Sequence, residues 1–154
     1  MTSNTCNQIF NKSIADYHLH DDVDAEIKNP FQENRIDHLL YQKNWIDTVQ
    51  WHLEDIIRDP QIDAAEALKI KRRIDASNQE RTDVVEYIDA WLLNENKNVA
   101  AKNDATINTE SPAWAIDRLS ILALKIYHMQ LEAGRKDADD THRYSARQKL
   151  EILL

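Results

Sequence analysis

The residues best equipped for chemistry are two aspartates, two asparagines and one arginine: Asn44, Asp47, Asp75, Asn78 and Arg81. Ile70, Ile74, Val84, Val85, Ile88 and Leu92 recur at helical spacing and mark one apolar face. Ser77 and Arg81 fall at the centre of that face. An arginine there either reaches a carboxylate inside the protein or lines a pocket. Its planar fork of donors suits a carboxylate or phosphate, so a small anionic ligand is one expected partner.

A second polar line runs beside it: Lys71, Asp75, Asn78, Thr82, Glu86 and Asp89. If the chain turns near residues 59–63, Asp47 faces Asp75, Asn44 faces Asn78 and Tyr41 faces Arg81. Two buried carboxylates that face each other need a shared proton, an arginine or a cation between them. Asp47 and Asp75 are therefore candidate ligands for Mg²⁺ or Mn²⁺, or a candidate acid and base. A later segment adds Glu110, Trp114, Asp117, Arg118, Lys125, His128 and Glu132 as one polar strip in an otherwise apolar helix. Asp117, Arg118 and His128 could extend the same site, or the strip could face solvent. A lone His128 is more often a partnered structural histidine than a base, and Asp117 lies about three turns away from it. Trp51 or Trp114 could stack on a ligand ring.

The elements that must position these residues are helices. One glycine and three prolines leave little turn chemistry for strands. The expected fold is all-α: an antiparallel bundle of about five helices in one domain, built on a long hairpin over 34–59 and 63–93. Pro60 stops the first arm. Asp63, with Glu66 three residues on, opens the second as a capping box. A first short helix is expected over 5–18, with a loop over 19–33. Residues 94–109 form a polar connection and the expected mobile loop. Ser111-Pro112 start a fourth helix that runs to about Ala133, with Gly134 in a left-handed helix end. A fifth begins near Asp139 and carries Leu150, Ile152, Leu153 and Leu154.

A net charge of −8 disfavours nucleic acid or an anionic membrane as partner. The short basic run Lys69, Lys71, Arg72 and Arg73 reads as a solvated helix face. The single cysteine, Cys6, supports no intrachain disulfide and points to a reducing compartment, so a cytoplasmic location is expected. Ile116–Leu131 is too polar to span a bilayer. One glycine excludes a glycine-rich phosphate loop. With one cysteine and no His-x-x-x-His pair, no zinc set is legible. No Glu-x-x-His pair supports a di-iron bundle.

Glu54-Asp55 with Asp59, followed by Glu86-Tyr87-Ile88-Asp89, is similar to the carboxylate spacing of all-helical nucleotide pyrophosphatases. A turn at Pro60 argues against the match, because it sets Glu54 about 18 residues, or roughly 27 Å, from Glu86 along the hairpin. Three further segments carry a family resemblance: Trp45 to Pro60, Lys71 to Asp83, and Glu110 to Ser120. Over about residues 34–154 the chain resembles an all-helical bacterial domain-of-unknown-function family that is somewhat longer at its C-terminus. The resemblance implies no activity. It implies that Leu150–Leu154 lack a partner segment.

Two function classes stay open on these grounds. One is a ligand-binding or enzymatic bundle with its site at Asn44, Asp47, Trp51, Asp75, Asn78, Arg81, Asp117, Arg118 and His128. The other is an interaction or assembly module, with a homo-oligomer as the expected assembly, whose polar strips are ion pairs that fix helix register.

Overall fold

A computed structural model describes residues 2–154 as five helices: α1 (Ser3–Tyr17), α2 (Ile36–Ile57), α3 (Ala64–Asn96), α4 (Pro112–Gly134) and α5 (Asp140–Leu153). There is no strand among the described residues. The helix starts follow the capping residues. Asp63 Oδ1 accepts from the backbone of Ala65 and Glu66 at 2.9 and 3.2 Å. The reciprocal half of the expected capping box is not made, because Glu66 pairs with Lys69 instead. Ser111 accepts from Trp114 N with Pro112 in the first turn, and Asp139 caps α5. Gly134 departs from expectation. It is the last residue of α4 and has no positive φ, so the helix ends without a left-handed glycine.

α2 and α4 are the central helices. α2 packs against α1, α3 and α4, and α4 packs against all the others, while α5 touches only α4. The main core gathers Phe10, Ile14 and Tyr17 from α1, Leu40 and Tyr41 from α2, Val85 and Ile88 from α3, and Leu124 from α4. A second core at the hairpin end joins Leu53 to Ile70 and Ile74.

The hairpin exists, but its register differs from the one expected. Gln50 Nε2 donates to Asn78 Oδ1 at 3.0 Å, and Ser77 Oγ donates to Gln50 Oε1 at 3.2 Å. Arg81 lies beside Asp47. Relative to the expected pairing, each α2 residue meets α3 about six residues later, roughly 9 Å along the axis. The cause is the wide connection over 58–63. It lets the first turns of α3 project past the end of α2, where Ala64, Ala65, Glu66 and Leu68 are exposed. No described helix is long and apolar enough to cross a membrane.

Candidate functional site

The corrected register builds a buried ion network where α2, α3 and α4 meet. Lys43 and Asp47 are one turn apart on α2, and both side chains are fully shielded from solvent. Lys43 Nζ pairs with Asp47 Oδ2 and reaches Asp117 Oδ1 of α4 at 2.8 Å. Arg81 grips Asp117 side-on, Nε to Oδ1 at 2.9 Å and Nη2 to Oδ2 at 2.7 Å. Ser120 Oγ donates to Asp47 Oδ2 at 2.6 Å, and Asn44 Nδ2 donates to Ser120 Oγ at 3.0 Å. Two cations thus meet two carboxylates. That balance is what allows charge at this depth.

Burial pushes the Asp47 carboxyl up, although Lys43, Ser120 and Arg81 pull it the other way. Burial also opposes the Asp117 carboxylate, but Arg81 and Lys43 outweigh it and hold Asp117 below the ordinary range. A carboxyl lowered by folding adds stability that is complete above its unfolded value, about 4, and fades as pH falls through the folded value. In urea titrations, the stability gap between wild type and Asp117→Asn is therefore expected to narrow as pH drops below about 4. A gap that stays constant with pH would remove Asp117 from this role.

A second constellation has no counterpart in the sequence reading. His18 follows the last turn of α1, His52 lies on α2 and His128 on α4. One ligating atom from each lies within 4.8 Å of the others. His18 Nδ1 is 2.7 Å from the carbonyl of Ile14, so it carries the hydrogen and leaves Nε2 with a lone pair. Orienting a ring through its far nitrogen is how ligating histidines are commonly held. His18 Nε2 and His52 Nε2 are 3.2 Å apart. His128 Nε2 is buried and has no hydrogen-bond partner among the described residues.

The rings are walled by aromatics. Trp51 stacks on His128 at 4.6 Å with the planes 2° apart, Tyr17 stacks on His52 at 5.1 Å, and Tyr127 lies 4.5 Å from His18. Burial, with His52 and His18 close by, holds His128 down at about 4, and burial lowers His52 as well. Both are therefore neutral near pH 7, the form that coordinates a metal. Asp21 lies beside two of these rings, outside the set of three. Its Oδ1 is 3.9 Å from His52 Nε2 and 4.0 Å from His18 Nε2. Its backbone has φ of 50°, a left-handed turn that aspartate tolerates better than most residues, and its N–H donates to Tyr17 O at 3.0 Å.

The residues singled out from the sequence fall into separate places. Asn44, Asp47, Arg81 and Asp117 converge. Asp75 does not join them. It is exposed and paired with Lys71, so no Asp47–Asp75 metal pair or acid–base pair forms. Asn78 is exposed and bonds Gln50, and Asn44 faces Ser120 where Asn78 was expected. Arg118 is exposed and paired with Glu110. Trp51 and His128 belong to the histidine cluster, and Trp114 is 44% exposed.

The polar strip of α4 therefore has a double character, with Asp117 buried in the bundle and Arg118 and Lys125 in solvent. The carboxylates of the pyrophosphatase-like spacing stay apart. In the observed register Glu54 is level with about residue 74, roughly 18 Å short of Glu86. Asp89 is engaged elsewhere, accepting from Ala113 N at the start of α4. Lys43 was missed, although Ile36, Leu40, Lys43 and Asp47 share one helical face and a cation there signals a buried pair.

No curated protein and no solved structure matches the chain. Residues 37–154 match the family described as Protein of unknown function (DUF4254). The match takes in α4, α5 and nearly all of the hairpin. It contains every residue of the ion network, together with His52 and His128, while His18 and Asp21 lie before it. The chain belongs to the DUF4254 family of proteins of unknown function.

Proposed function

We propose that this protein binds one first-row transition-metal ion, Zn²⁺ in the first instance, on His18, His52 and His128, with Asp21 as fourth ligand. The observation that carries this reading is the convergence of three imidazoles from α2, α4 and the C-cap of α1, one of them with a buried, unpartnered Nε2. A buried ring nitrogen without a hydrogen-bond partner is costly, and a metal ion would satisfy it. The 3.2 Å spacing of His18 and His52 Nε2 also fits. Two nitrogens on a tetrahedral ion with bonds of 2.0–2.1 Å lie about 3.3 Å apart. Imidazoles with one carboxylate and no thiolate suit Zn²⁺, and also Fe²⁺, Ni²⁺ or Cu²⁺.

The exposed Asp21 side chain gives the site a chemical option. If Asp21 swings out, water can take the fourth position. Three protein ligands plus water is the arrangement of hydrolytic zinc sites, where the bound water ionises near pH 7. Tyr17 Oη is buried and unpaired beside this group, and burial raises it to about 12, so it stays a neutral phenol.

Metal-free protein titrated with Co²⁺ should develop the visible absorption of a tetrahedral site and saturate at one ion per chain. His52→Ala should lose that band. Absence of binding at equimolar Co²⁺ and Zn²⁺, or an unchanged band in His52→Ala, would refute the assignment.

The assembly reading keeps one observation in its favour. An open groove of about 930 Å³ runs between Cys6, Leu92, Leu93, Ile116 and Leu119. It favours association through the ends of α1, α3 and α4, which light scattering across a concentration series would detect as a dimer.

A further inference from the structure

The groove beside the starts of α1 and α4 is edged by the last turns of α3, and those turns carry a pattern that fits its own reversal. Asp89, Leu92, Leu93, Asn96 and Lys97 all line the groove. Their spacing of three, one, three and one sets them on a single stripe of the helix. Asp89 lies four residues before Leu93 and Lys97 four residues after it, each about 6 Å away along the axis. The stripe therefore has a negative end, an apolar middle and a positive end, with Leu93 at its centre.

Each part of the stripe is open to a partner. Leu93 is 73% exposed beside a floor in which Cys6 and Ile116 are buried, so a knob stands next to a hole. Lys97 Nζ donates to the neutral side chain of Asn94 at 3.2 Å and pairs with no carboxylate among the described residues. Asp89 Oδ1 accepts from Ala113 N at 3.1 Å, while Oδ2 makes no hydrogen bond among the described residues. The groove holds about 930 Å³, the volume of about thirty waters, so a single ion or small polar group would leave its apolar floor wet.

A two-fold axis through Leu93, perpendicular to α3, sets a second copy of α3 antiparallel on the first. It places Asp89 of each copy opposite Lys97 of the other and brings the two Leu93 side chains together. A parallel pairing would set like charge against like at both ends, so the charges select the antiparallel one. The chain carries a net charge of −8, whereas the groove lining holds one carboxylate and one ammonium. This is a face on which two acidic molecules meet without net repulsion. We propose that the protein forms an isologous homodimer in which the ends of α3 cross antiparallel about a two-fold axis at Leu93, each entering the groove of the other copy. The apolar contact supplies affinity, and the reciprocal Asp89–Lys97 pairs at the rim supply orientation. This rests on the assembly reading above and assigns its axis and contacts. It is independent of the histidine cluster, which lies at the other end of α1.

Sedimentation velocity over a concentration series, with a chelator present, should show a monomer–dimer equilibrium. Leu93→Asp should weaken the dimer at least about tenfold, since two carboxylates would meet at the axis. Lys97→Glu should weaken it in the same direction. Both side chains are exposed, so circular dichroism should show the helices unchanged. Tyr144→Asp, at an exposed position on α5, should leave the dimer as it is. Leu93→Cys should give an intersubunit disulfide on mild oxidation, because a residue at the axis meets its own copy and Cys6 is buried. A protein monomeric at every concentration would overturn this proposal and the assembly reading together. A dimer that survives Leu93→Asp, or one lost equally in Tyr144→Asp, would overturn the proposal and leave the assembly reading in place. So would a dimer that Leu93→Cys does not cross-link.

Discussion

Replacing Lys43 with methionine is expected to remove about 3–5 kcal/mol of folding stability, the usual consequence of stripping one partner from a buried ion pair. Methionine nearly matches the volume of lysine, so no large cavity forms and the loss is electrostatic. Lys43 is fully buried and serves both Asp47 and Asp117. Without it, one cation, Arg81, remains for two carboxylates that sit 3% and 4% exposed. Urea unfolding of the two proteins measures the effect. Asp47→Asn added to Lys43→Met should recover part of the loss, because it removes the carboxylate that lost its partner. The two changes should thus be strongly non-additive, as expected for groups in one network. Lys43→Met within about 1 kcal/mol of wild type would mean that the network does not hold these helices together.

The second large effect concerns the histidines. At a free Zn²⁺ concentration a hundred times the dissociation constant, the protein should gain about 2.7 kcal/mol over its metal-free form. For a chain of this size that is a rise in Tm of about 5–11 °C, reversed by a chelator. The decisive variant is His128→Phe. Phenylalanine can keep the stack on Trp51 and removes the buried, unpartnered Nε2. Its metal-free stability should equal or exceed that of wild type, while the rise with Zn²⁺ should be lost. A cluster that exists only for packing would show no Zn²⁺ response in either protein. A full response retained by His128→Phe would exclude that residue as a ligand.

The contrast between these two sites shows what one-dimensional spacing can carry. Arg81 was conspicuous because it interrupts an apolar helical face, whereas Asp117 belonged to a polar strip that could equally have faced solvent. The structure joins the two in a single bidentate pair. The pairing expected for Asp47 was not readable. It depended on hairpin register, and a wide six-residue connection moved α3 along α2 by more than a turn. Asp75 thereby passed from a facing position to the surface, and Arg81 took its place. The histidines were less legible still. Each is solitary in its own segment, so none forms a short-range ligand motif, and His18 follows the end of a different helix from the hairpin.

The amino-acid sequence alone determined the helices, because apolar periodicity, proline and the capping residues Asp63, Ser111 and Asp139 act locally. It also marked Arg81 as a polar group inside an apolar face, whereas the burial of Lys43 and Asp117 followed only from the packing of α2 and α4. Which groups meet was decided only by tertiary packing. The side chains of the two sites come from α2, α3, α4 and the segment after α1, and their distances depend on how the helices slide against one another. A shift of one turn, about 5.4 Å, is enough to exchange one partner for another.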